Sequence, residues 1–368
     1  MHPDELQTGR PVSLLPHLDL RLLEARVAIS KNDLAEALQA VEEVARRARR
    51  YGLSDYEARS EQLLALVAER RGEIDEALGR YQRAQQLRAR EPLHVRADAV
   101  AGEARCHHIK GDKTHAIYLL ETFLHALRQE SLEDPDALIR IRTTMVITYL
   151  EAGFHRRAAE VAEEALALEA RVKDPARLGA MHNMVARSLI DNGQIRRAEE
   201  SLRKAAYFYD LADLELESGR ARLARGIFLK ERGRLAQARK ELEAARAIFD
   251  QASPLDEARV CNELAAVARE KGDIDEALSL VDTATTLNPT NVGERARSAR
   301  ERGLALSDRD RRNALASLRE AIDLFIQAEE RIEAAVTHAY LGDLLAPRHQ
   351  KQAMTEYRKG LALFEVRT

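Results

Sequence analysis

The sequence predicts an all-α protein built from about nine pairs of helices, and three observations lead to this prediction. One alanine recurs at intervals of 37 to 42 residues. A glycine precedes six of the nine copies by five residues. Charged residues make up 32% of the chain and tryptophan is absent, a composition typical of amphipathic helices. A fixed period of this length indicates a stacked array, which offers a long surface for binding rather than catalysis. The repeats are centred on Ala37, Ala77, Ala116, Ala158, Ala198, Ala238, Ala277, Ala314 and Ala353.

Composition and charge exclude several classes of protein. The chain has 58 basic and 61 acidic residues, so a direct role in binding nucleic acid is disfavoured. The two cysteines, Cys106 and Cys261, are too few for a disulfide framework and favour a reducing compartment. There is neither a signal-like leader nor an apolar run of eighteen residues. We therefore expect a cytoplasmic protein that does not contact a membrane.

The seventh repeat shows how each helix pair is encoded. Gly272 ends the first helix, because glycine enters the left-handed conformation without steric cost. Asp273 can then cap the second helix. Ala277 follows at the point where the two helices cross closely, so a small residue is required there. The apolar stripe of the first helix consists of Ala258, Cys261, Leu264, Ala265 and Ala268.

Proline residues mark the ends of the repeats. A leader of residues 1–17, with Pro3, Pro11 and Pro16, precedes an array that spans residues 18–368. Because proline breaks a helix interior, the prolines within the array are expected between helices. Five of them fall between one repeat and the next, at Pro92, Pro135, Pro175, Pro254 and Pro289, and Pro347 lies in the short turn of the last repeat.

The seventh repeat resembles a tetratricopeptide repeat. The residues that carry the resemblance are Ala265, Gly272, Ala277, Ala284 and Pro289, with Gly226 and Gly303 in two other first helices and Tyr81 and Tyr357 in second helices. The resemblance implies a right-handed superhelical solenoid. The period is near 40 residues rather than about 34. Arrays with such long repeats resemble those of bacterial peptide-sensing regulators and of large signalling ATPases.

The leader is similar to a junction found in one class of bacterial regulators. In that class, a helix-turn-helix domain of the xenobiotic-response-element type precedes a tetratricopeptide array. The last helix of the domain ends in a pattern matched here by Pro3, Glu5, Leu6 and Gly9. The DNA-reading helices themselves are absent from this sequence, so we expect no DNA binding by these residues.

Catalytic and metal-binding motifs are not found. The sequence lacks a glycine-rich phosphate loop, a G-x-S-x-G elbow and an H-E-x-x-H motif. The run Cys106, His107 and His108 does not predict a metal site, because adjacent residues point to different faces of a helix. We therefore expect no enzyme activity, no metal and no cofactor.

Inward-facing arginines and asparagines are the candidate ligand-binding residues. In tetratricopeptide arrays the first helices line the concave surface. With the turn glycine as position fifteen, positions two, five, nine and twelve face inward. Asparagine matches the donors and acceptors of a peptide backbone, and arginine binds a carboxylate with two hydrogen bonds. The candidates are Asn183, Asn262, Arg140, Arg187, Arg220 and Arg259, with Arg59 and Arg297 also at position two and Arg105 also at position nine. Alternatively, these arginines are solvated or paired with glutamates of the neighbouring helix.

The last helix predicts self-association. It carries Leu361, Leu363, Phe364 and Val366, and an uncovered apolar face favours a homodimer. Alternatively, it packs back on repeat eight and leaves only a small exposed strip. Together these features predict the peptide- or protein-binding sensor and dimerisation module of a bacterial transcription regulator. A stand-alone adaptor that binds proteins without any role on DNA is the alternative, and a fragment of a signalling ATPase is a third option.

Overall fold

The computed structural model describes residues 14–129 and 134–365, with side chains described to residue 363. Within these ranges the chain is helical, without strands, and divides into two compact units between Ser218 and Gly219. The first unit contains α1 (Leu14–Ser30), α2 (Leu34–Tyr51), α3 (Ser54–Arg71), α4 (Ile74–Leu87), α5 (Leu93–Ile109), α6 (Lys113–Gln129), α7 (Pro135–Glu151), α8 (His155–Leu166), a one-turn 3₁₀ helix (Glu169–Arg171), α9 (Pro175–Asp191) and α10 (Ile195–Leu211).

The boundary between the units lies within α11 (Glu215–Glu231). The second unit continues with α12 (Leu235–Phe249), α13 (Pro254–Glu270), α14 (Ile274–Leu287), α15 (Val292–Ala305), α16 (Arg311–Gln327), α17 (Arg331–Leu345) and α18 (Gln350–Glu365). The odd-numbered elements are the first helices of the repeats and the even-numbered ones are the second helices. The prediction of an all-α array of about nine helix pairs is therefore confirmed.

The first described helix starts earlier than the predicted boundary of the array. It begins at Leu14, and Pro16 lies in its first turn, where a missing backbone N–H does no harm. The leader motif of Pro3, Glu5, Leu6 and Gly9 lies outside the described residues, as do Pro11 and Val366.

The turn inside each of the first seven repeats has a left-handed residue at its centre. Asn32 has φ 61°, and the six predicted glycines have φ between 69° and 87°. A left-handed residue after the last helical turn lets the following amides bond back to free carbonyls of that turn. At Gly272, for example, the backbone N–H of the glycine donates to the carbonyl of Arg269 and that of Asp273 donates to the carbonyl of Ala268. The glycine pattern in the sequence thus marks where the chain reverses.

The recurring alanine lies where the two helices of a repeat cross. All nine copies are at most 2% exposed. A Cβ atom added to Gly226 on α11 would lie 2.6 Å from Leu242 Cγ and 3.5 Å from the carbonyl oxygen of Ala238. At Gly303 the added atom would lie 3.1 Å from the carbonyl oxygen of Ala314. The helices therefore approach too closely for larger side chains at the crossing.

The proline positions follow the predicted parse. Pro135, Pro175 and Pro254 each begin a first helix, where the absent N–H would be unpaired in any case. Asp134 and Asp174 cap the first two of these helices by accepting hydrogen bonds from backbone amides. Each proline thus fixes the start of a new repeat.

The C-terminal helix, α18, shows both features considered for it from the sequence: an exposed apolar residue, and packing against repeat eight. Leu361 is 62% exposed. Leu363 packs against a cluster that includes Ala296 and Phe325 of repeat eight. The side chain of Phe364 lies outside the described part of the chain. One apolar residue of α18 thus packs back on the array and another is left in solvent.

Two glycines of repeat two provide a matched test of the turn. We expect Gly72→Ala to lower the free energy of unfolding by about 1 kcal/mol, because alanine is strained at φ 78° although space for its Cβ is open. Gly79→Ala, in the exposed interior of α4, should instead raise it by up to about 1 kcal/mol. Urea unfolding followed by circular dichroism measures both, and shifts of the same sign would contradict the assignment of the turn.

Candidate ligand-binding site

A cavity of about 210 Å³ opens on the first-helix face of the first unit, meaning the surface formed there by the first helices. It lies among the neighbouring helices α5, α7 and α9, with one residue from α10. Three kinds of side chain line it: arginines (Arg105, Arg140, Arg177), hydroxyl-bearing residues (Thr143, Thr144, Tyr209) and apolar residues (Ile139, Ile147, Ala180, Met184). Such a mixture of apolar wall and a few polar groups is typical of a ligand site.

Helix α7 supplies half of the cavity wall. Arg140, Thr143 and Ile147 are spaced by three and four residues, so they project from one side of the helix. The Thr143 hydroxyl donates to the carbonyl of Ile139 at 2.7 Å, and Thr144 donates to the carbonyl of Arg140 at 3.1 Å. Each hydroxyl oxygen keeps acceptor capacity that a ligand N–H can use.

Carboxylates hold the three arginines from outside the cavity. Arg105 donates from Nε and Nη2 to the two oxygens of Glu69, both at 2.8 Å, and Tyr81 donates to the same carboxylate at 2.8 Å. Arg140 Nε lies 2.9 Å from Asp98 Oδ1, and Arg177 Nη2 lies 3.5 Å from Asp98 Oδ2. Neither carboxylate is among the residues that line the cavity.

The arginines also set the charge state of these acids. Burial alone would raise the pKa of Glu69, but the hydrogen bonds from Arg105 and Tyr81 outweigh it and hold the pKa below 4.5. Burial opposes ionisation of Asp98 too, and the charges of Arg140 and Arg177 nevertheless lower its pKa below 3.8. Both acids are therefore ionised near neutral pH.

The sequence-predicted residues of the first unit differ in their surroundings. Arg140 lines the cavity. Asn183 is half-buried on α9, one turn after the cavity residue Ala180, and its amide makes no hydrogen bond to any residue in the described ranges. Arg187 lies outside the cavity, and its Nη1 is 3.3 Å from Glu151 Oε1 on the preceding first helix.

In the second unit the predicted arginines form a chain of ion pairs, which we call the charge ladder. It runs along α11, α13, α15 and the residue before α17, with N···O distances of 2.9, 3.9, 2.7, 3.2 and 2.6 Å. Its members in order are Arg220, Asp256, Arg259, Glu294, Arg297 and Glu330. The sequence left open the alternative that these arginines pair with acids of a neighbouring helix. In the structure they do so, with acids of the neighbouring repeat.

Asn262 is also engaged in contacts between repeats. Its side chain is 3% exposed. Ser298 of the next first helix donates to its oxygen at 2.9 Å, and its amide nitrogen lies 3.5 Å from Glu294. The two predicted asparagines therefore differ: in this conformation the amide of Asn183 is free for a ligand and that of Asn262 is not.

Several residues of the site were not predicted from the sequence. Thr143, Ile147 and Ala180 occupy inward positions five, nine and two of their repeats, so the same spacing rule identifies them. Asp19 and Asp98 occupy position two of repeats one and three, where they alternate with Arg59 and Arg140. Asp19 lies 3.0 Å from Arg59, as Asp98 does from Arg140 at 2.9 Å. Arg177, Met184 and Tyr209 follow from no repeat position that the sequence suggested.

A long-range ion pair joins distant repeats within the first unit. Arg70 at the end of α3 donates to Glu217 at the start of α11 at 2.8 Å, although 147 residues separate them. Arg70 follows Glu69, the carboxylate that holds Arg105. Arg105 of the cavity is therefore linked, through Glu69 and Arg70, to the contact between repeats two and six.

The run Cys106, His107 and His108 divides among different partners, as expected for consecutive helical residues. Cys106 is buried, which raises the pKa of its thiol to about 12. The ring of His107 lies 4.3 Å from that of His115 at an angle of 59°, and His108 contacts Glu151 at 2.6 Å. Across the described residues, no group of three or more His, Cys, Asp or Glu side chains could hold a metal ion. No helix there is long and apolar enough to cross a membrane.

Comparison with known proteins shows that the fold of this chain is similar to the folds of several solved structures. No protein-family model and no curated protein matches the sequence. The apo form of the quorum sensor NprR from B. thuringiensis is 15% identical, with a TM-score of 0.65 over 95% of this chain and 99% of that one. A Rap protein complexed with competence and sporulation factor is 14% identical, with a TM-score of 0.65 over 95% and 97%.

A third structure connects the fold to the repeat resemblance. It is a signal transduction ATPase from Pyrococcus horikoshii with a tetratricopeptide repeat sensor, 13% identical, with a TM-score of 0.63 over 99% of this chain and 54% of that one. The chain has a tetratricopeptide-like fold. The tetratricopeptide resemblance is thereby confirmed for the fold, and the resemblance of the leader to a DNA-binding junction stays a prediction.

The pair of Glu69 and Arg105 gives a prediction for acid stability. Because the pKa of Glu69 is lowered by folding, its ionised form stabilises the fold above about pH 4.5, and this contribution is lost as the pH falls through the folded-state pKa. We expect Glu69→Gln to cost about 1–3 kcal/mol at pH 7, because Arg105 loses its carboxylate. The loss of stability caused by Glu69→Gln should become smaller below pH 4.

The measurement is the urea midpoint of wild type and variant at pH 7 and at pH 3.5. Glu73→Gln is the control, since Glu73 is exposed in the same repeat and has no ion pair among the described residues. A Glu69→Gln deficit that is equal at both pH values would contradict the assignment.

Proposed function

We propose that this chain binds a peptide or a segment of a protein at the first-helix face of the first unit, and acts by binding rather than by catalysis. The cavity on that face carries the proposal. It combines apolar walls with arginine donors and lies one helical turn from the unpartnered amide of Asn183. Among proteins of similar fold, NprR is a quorum sensor and a Rap protein is complexed with competence and sporulation factor. A peptide ligand is consistent with both.

The site residues divide by their present contacts. Arg140 and Asn183 belong to the proposed site because the terminal nitrogens of Arg140 and the amide of Asn183 have no hydrogen bond to any residue in the described ranges, although Arg140 Nε is paired with Asp98. Arg187 lies at its edge, where its pair with Glu151 is exposed and easily exchanged. Ligand contact by Arg220, Arg259 and Asn262 would require a second binding surface in the other unit and would break the charge ladder, so we place them outside the proposed site.

Filling the cavity tests the proposed site. The wild-type chain is used to select binders from a random library of linear heptapeptides. We expect Ala180→Trp to weaken the selected peptides at least tenfold, because the indole occupies the cavity, whereas Ala236→Trp on the exposed face of α12 should leave affinity unchanged. Helicity and the urea midpoint establish that both variants fold. Equal affinity of Ala180→Trp and wild type would overturn the site, and so would failure to select any peptide.

The wider role that we propose is the sensor and dimerisation module of a bacterial transcription regulator, located in the cytoplasm. The junction-like motif of Pro3, Glu5, Leu6 and Gly9 supports a DNA-binding domain ahead of this sequence in the natural protein. Exposed apolar residues at the C-terminal end support self-association: Ile332, Val336 and Tyr340 form one stripe on α17, and Leu361 is exposed on α18. In this proposal the chain itself does not contact DNA.

Native mass spectrometry of the endogenous protein tests this role. We expect subunits heavier than 41.4 kDa by a small domain, and assemblies of two subunits. Subunits of 41.4 kDa would favour the stand-alone adaptor, and much larger subunits would favour a signalling ATPase. A monomer at micromolar concentration would contradict self-association whichever subunit mass is found.

A further inference from the structure

The cavity wall of the first unit is charged with one sign only. Its lining contains three arginines and no aspartate or glutamate. The acids that neutralise the arginines contact them from outside the lining: Glu69 holds Arg105, and Asp98 is shared between Arg140 and Arg177. A group that enters the cavity therefore meets guanidinium groups before it meets any carboxylate.

The arginines also have hydrogen-bond donors to spare. Arg105 uses Nε and Nη2 on Glu69, and Arg177 uses Nε on Asp174 and Nη2 on Asp98. Arg140 approaches Asp98 through Nε. This leaves Nη1 of all three, and Nη2 of Arg140, without a hydrogen bond to any residue in the described ranges. A guanidinium with free terminal nitrogens binds a planar carboxylate with two parallel hydrogen bonds.

The apolar part of the cavity wall determines which chemical group can be attached to the bound anion. Ile139, Ile147, Ala180 and Met184 form an apolar surface, and an apolar cavity of about 150 Å³ is known to bind benzene. The volume of about 210 Å³ therefore holds a branched aliphatic group or a phenyl ring together with a carboxylate. A sugar or nucleotide phosphate fits less well, because its polar body would face these four apolar side chains.

We propose that the cavity is specific for a carboxylate attached to an apolar group, the carboxylate on Arg140 and Arg177 and the apolar group against Ile147 and Met184. This chemistry has two sources: the C-terminal residue of a peptide that ends in Leu, Ile, Met or Phe, or a small free carboxylic acid. The proposal rests on the proposed function for the location of the site and adds the class of ligand.

The test compares ligands that differ only in the charged group. Hexapeptides ending in Leu or Phe are prepared as free acids and as C-terminal amides, and 3-phenylpropionate is compared with 3-phenylpropionamide. Binding is measured on the full chain by calorimetry. We expect at least tenfold preference for the acid in one of the two series. Preference in the peptide series identifies a peptide end, and preference in the phenylpropionate series alone identifies a free acid.

Variants assign the preference to the arginines. In Arg140→Gln combined with Arg177→Gln, the ratio of acid to amide affinity should fall to about one. A general loss of folding would not produce this result, because it would weaken both ligands alike. Arg140→Lys keeps the charge without the planar fork and should keep part of the preference. Arg203→Gln is the control, an exposed arginine of α10 with no ion pair among the described residues.

Three outcomes would contradict the proposal, and they differ in what they leave standing. If acids and amides bind equally, and Ala180→Trp still weakens binding at least tenfold, the ligand class is wrong and the proposed peptide site stands. If neither series binds and the heptapeptide selection also fails, both the ligand class and the proposed function are wrong. An acid preference that persists in the double variant would place the carboxylate elsewhere and contradict the assignment to Arg140 and Arg177.

Discussion

The close crossing of two helices within each repeat is the constraint on which the rest of the structure depends. A buried alanine at the crossing lets the second helix approach, and in the first seven repeats a left-handed residue five positions earlier turns the chain back onto the first helix. With the pair fixed in this way, one side of every first helix is occupied by its partner and another by the neighbouring repeats. The side that remains carries the arginines of the first helices, and there the array both joins its repeats by charge and leaves room for a ligand.

The two units use that remaining side differently. In the second unit each arginine of the charge ladder is paired with a carboxylate of the next repeat, and two of these acids, Asp256 and Glu294, are only 4% and 2% exposed. An exposed ion pair contributes about 0–1 kcal/mol, whereas removing the partner of a buried charge costs about 3–5 kcal/mol. The ladder arginines are thus needed to neutralise buried acids. In the first unit the acids around the cavity are more exposed, and the arginines retain free donors, so an incoming anion meets less competition there.

The features that the sequence predicts correctly are those that depend on residues close together in the chain. Gly272 and Ala277 are five residues apart, and their roles follow from the geometry of one turn. Asn183 and Asn262, by contrast, look alike in sequence because both occupy position five of a repeat. They differ because Ser298 and Glu294, more than thirty residues away, use the amide of Asn262. No spacing rule within one repeat shows which side chain of the next repeat will meet it. The same reason explains why Arg177 and Tyr209 were missed.

The place of the cavity nevertheless follows from a break in the repeat pattern. Position two of the first helix is charged in repeats one to four, six and seven, as Asp19, Arg59, Asp98, Arg140, Arg220 and Arg259, and in repeat five it is Ala180. The acids that Arg220 and Arg259 meet in the following repeat, Asp256 and Glu294, lie three residues before Arg259 and Arg297. Three residues before Ala180 is Arg177, so repeat five offers Arg140 a guanidinium where the ladder arginines meet a carboxylate. The terminal nitrogens of Arg140 have no hydrogen bond to repeat five, and the small side chain of Ala180 lines the cavity beside them. In an array where each repeat completes the contacts of the previous one, the small Ala180 leaves space, and Arg177 three residues earlier leaves the facing donors of Arg140 without an acid of that repeat. Repeat five thus departs from the pairing of the charge ladder, and the proposed carboxylate ligand would supply there the negative charge that Asp256 and Glu294 supply in the second unit.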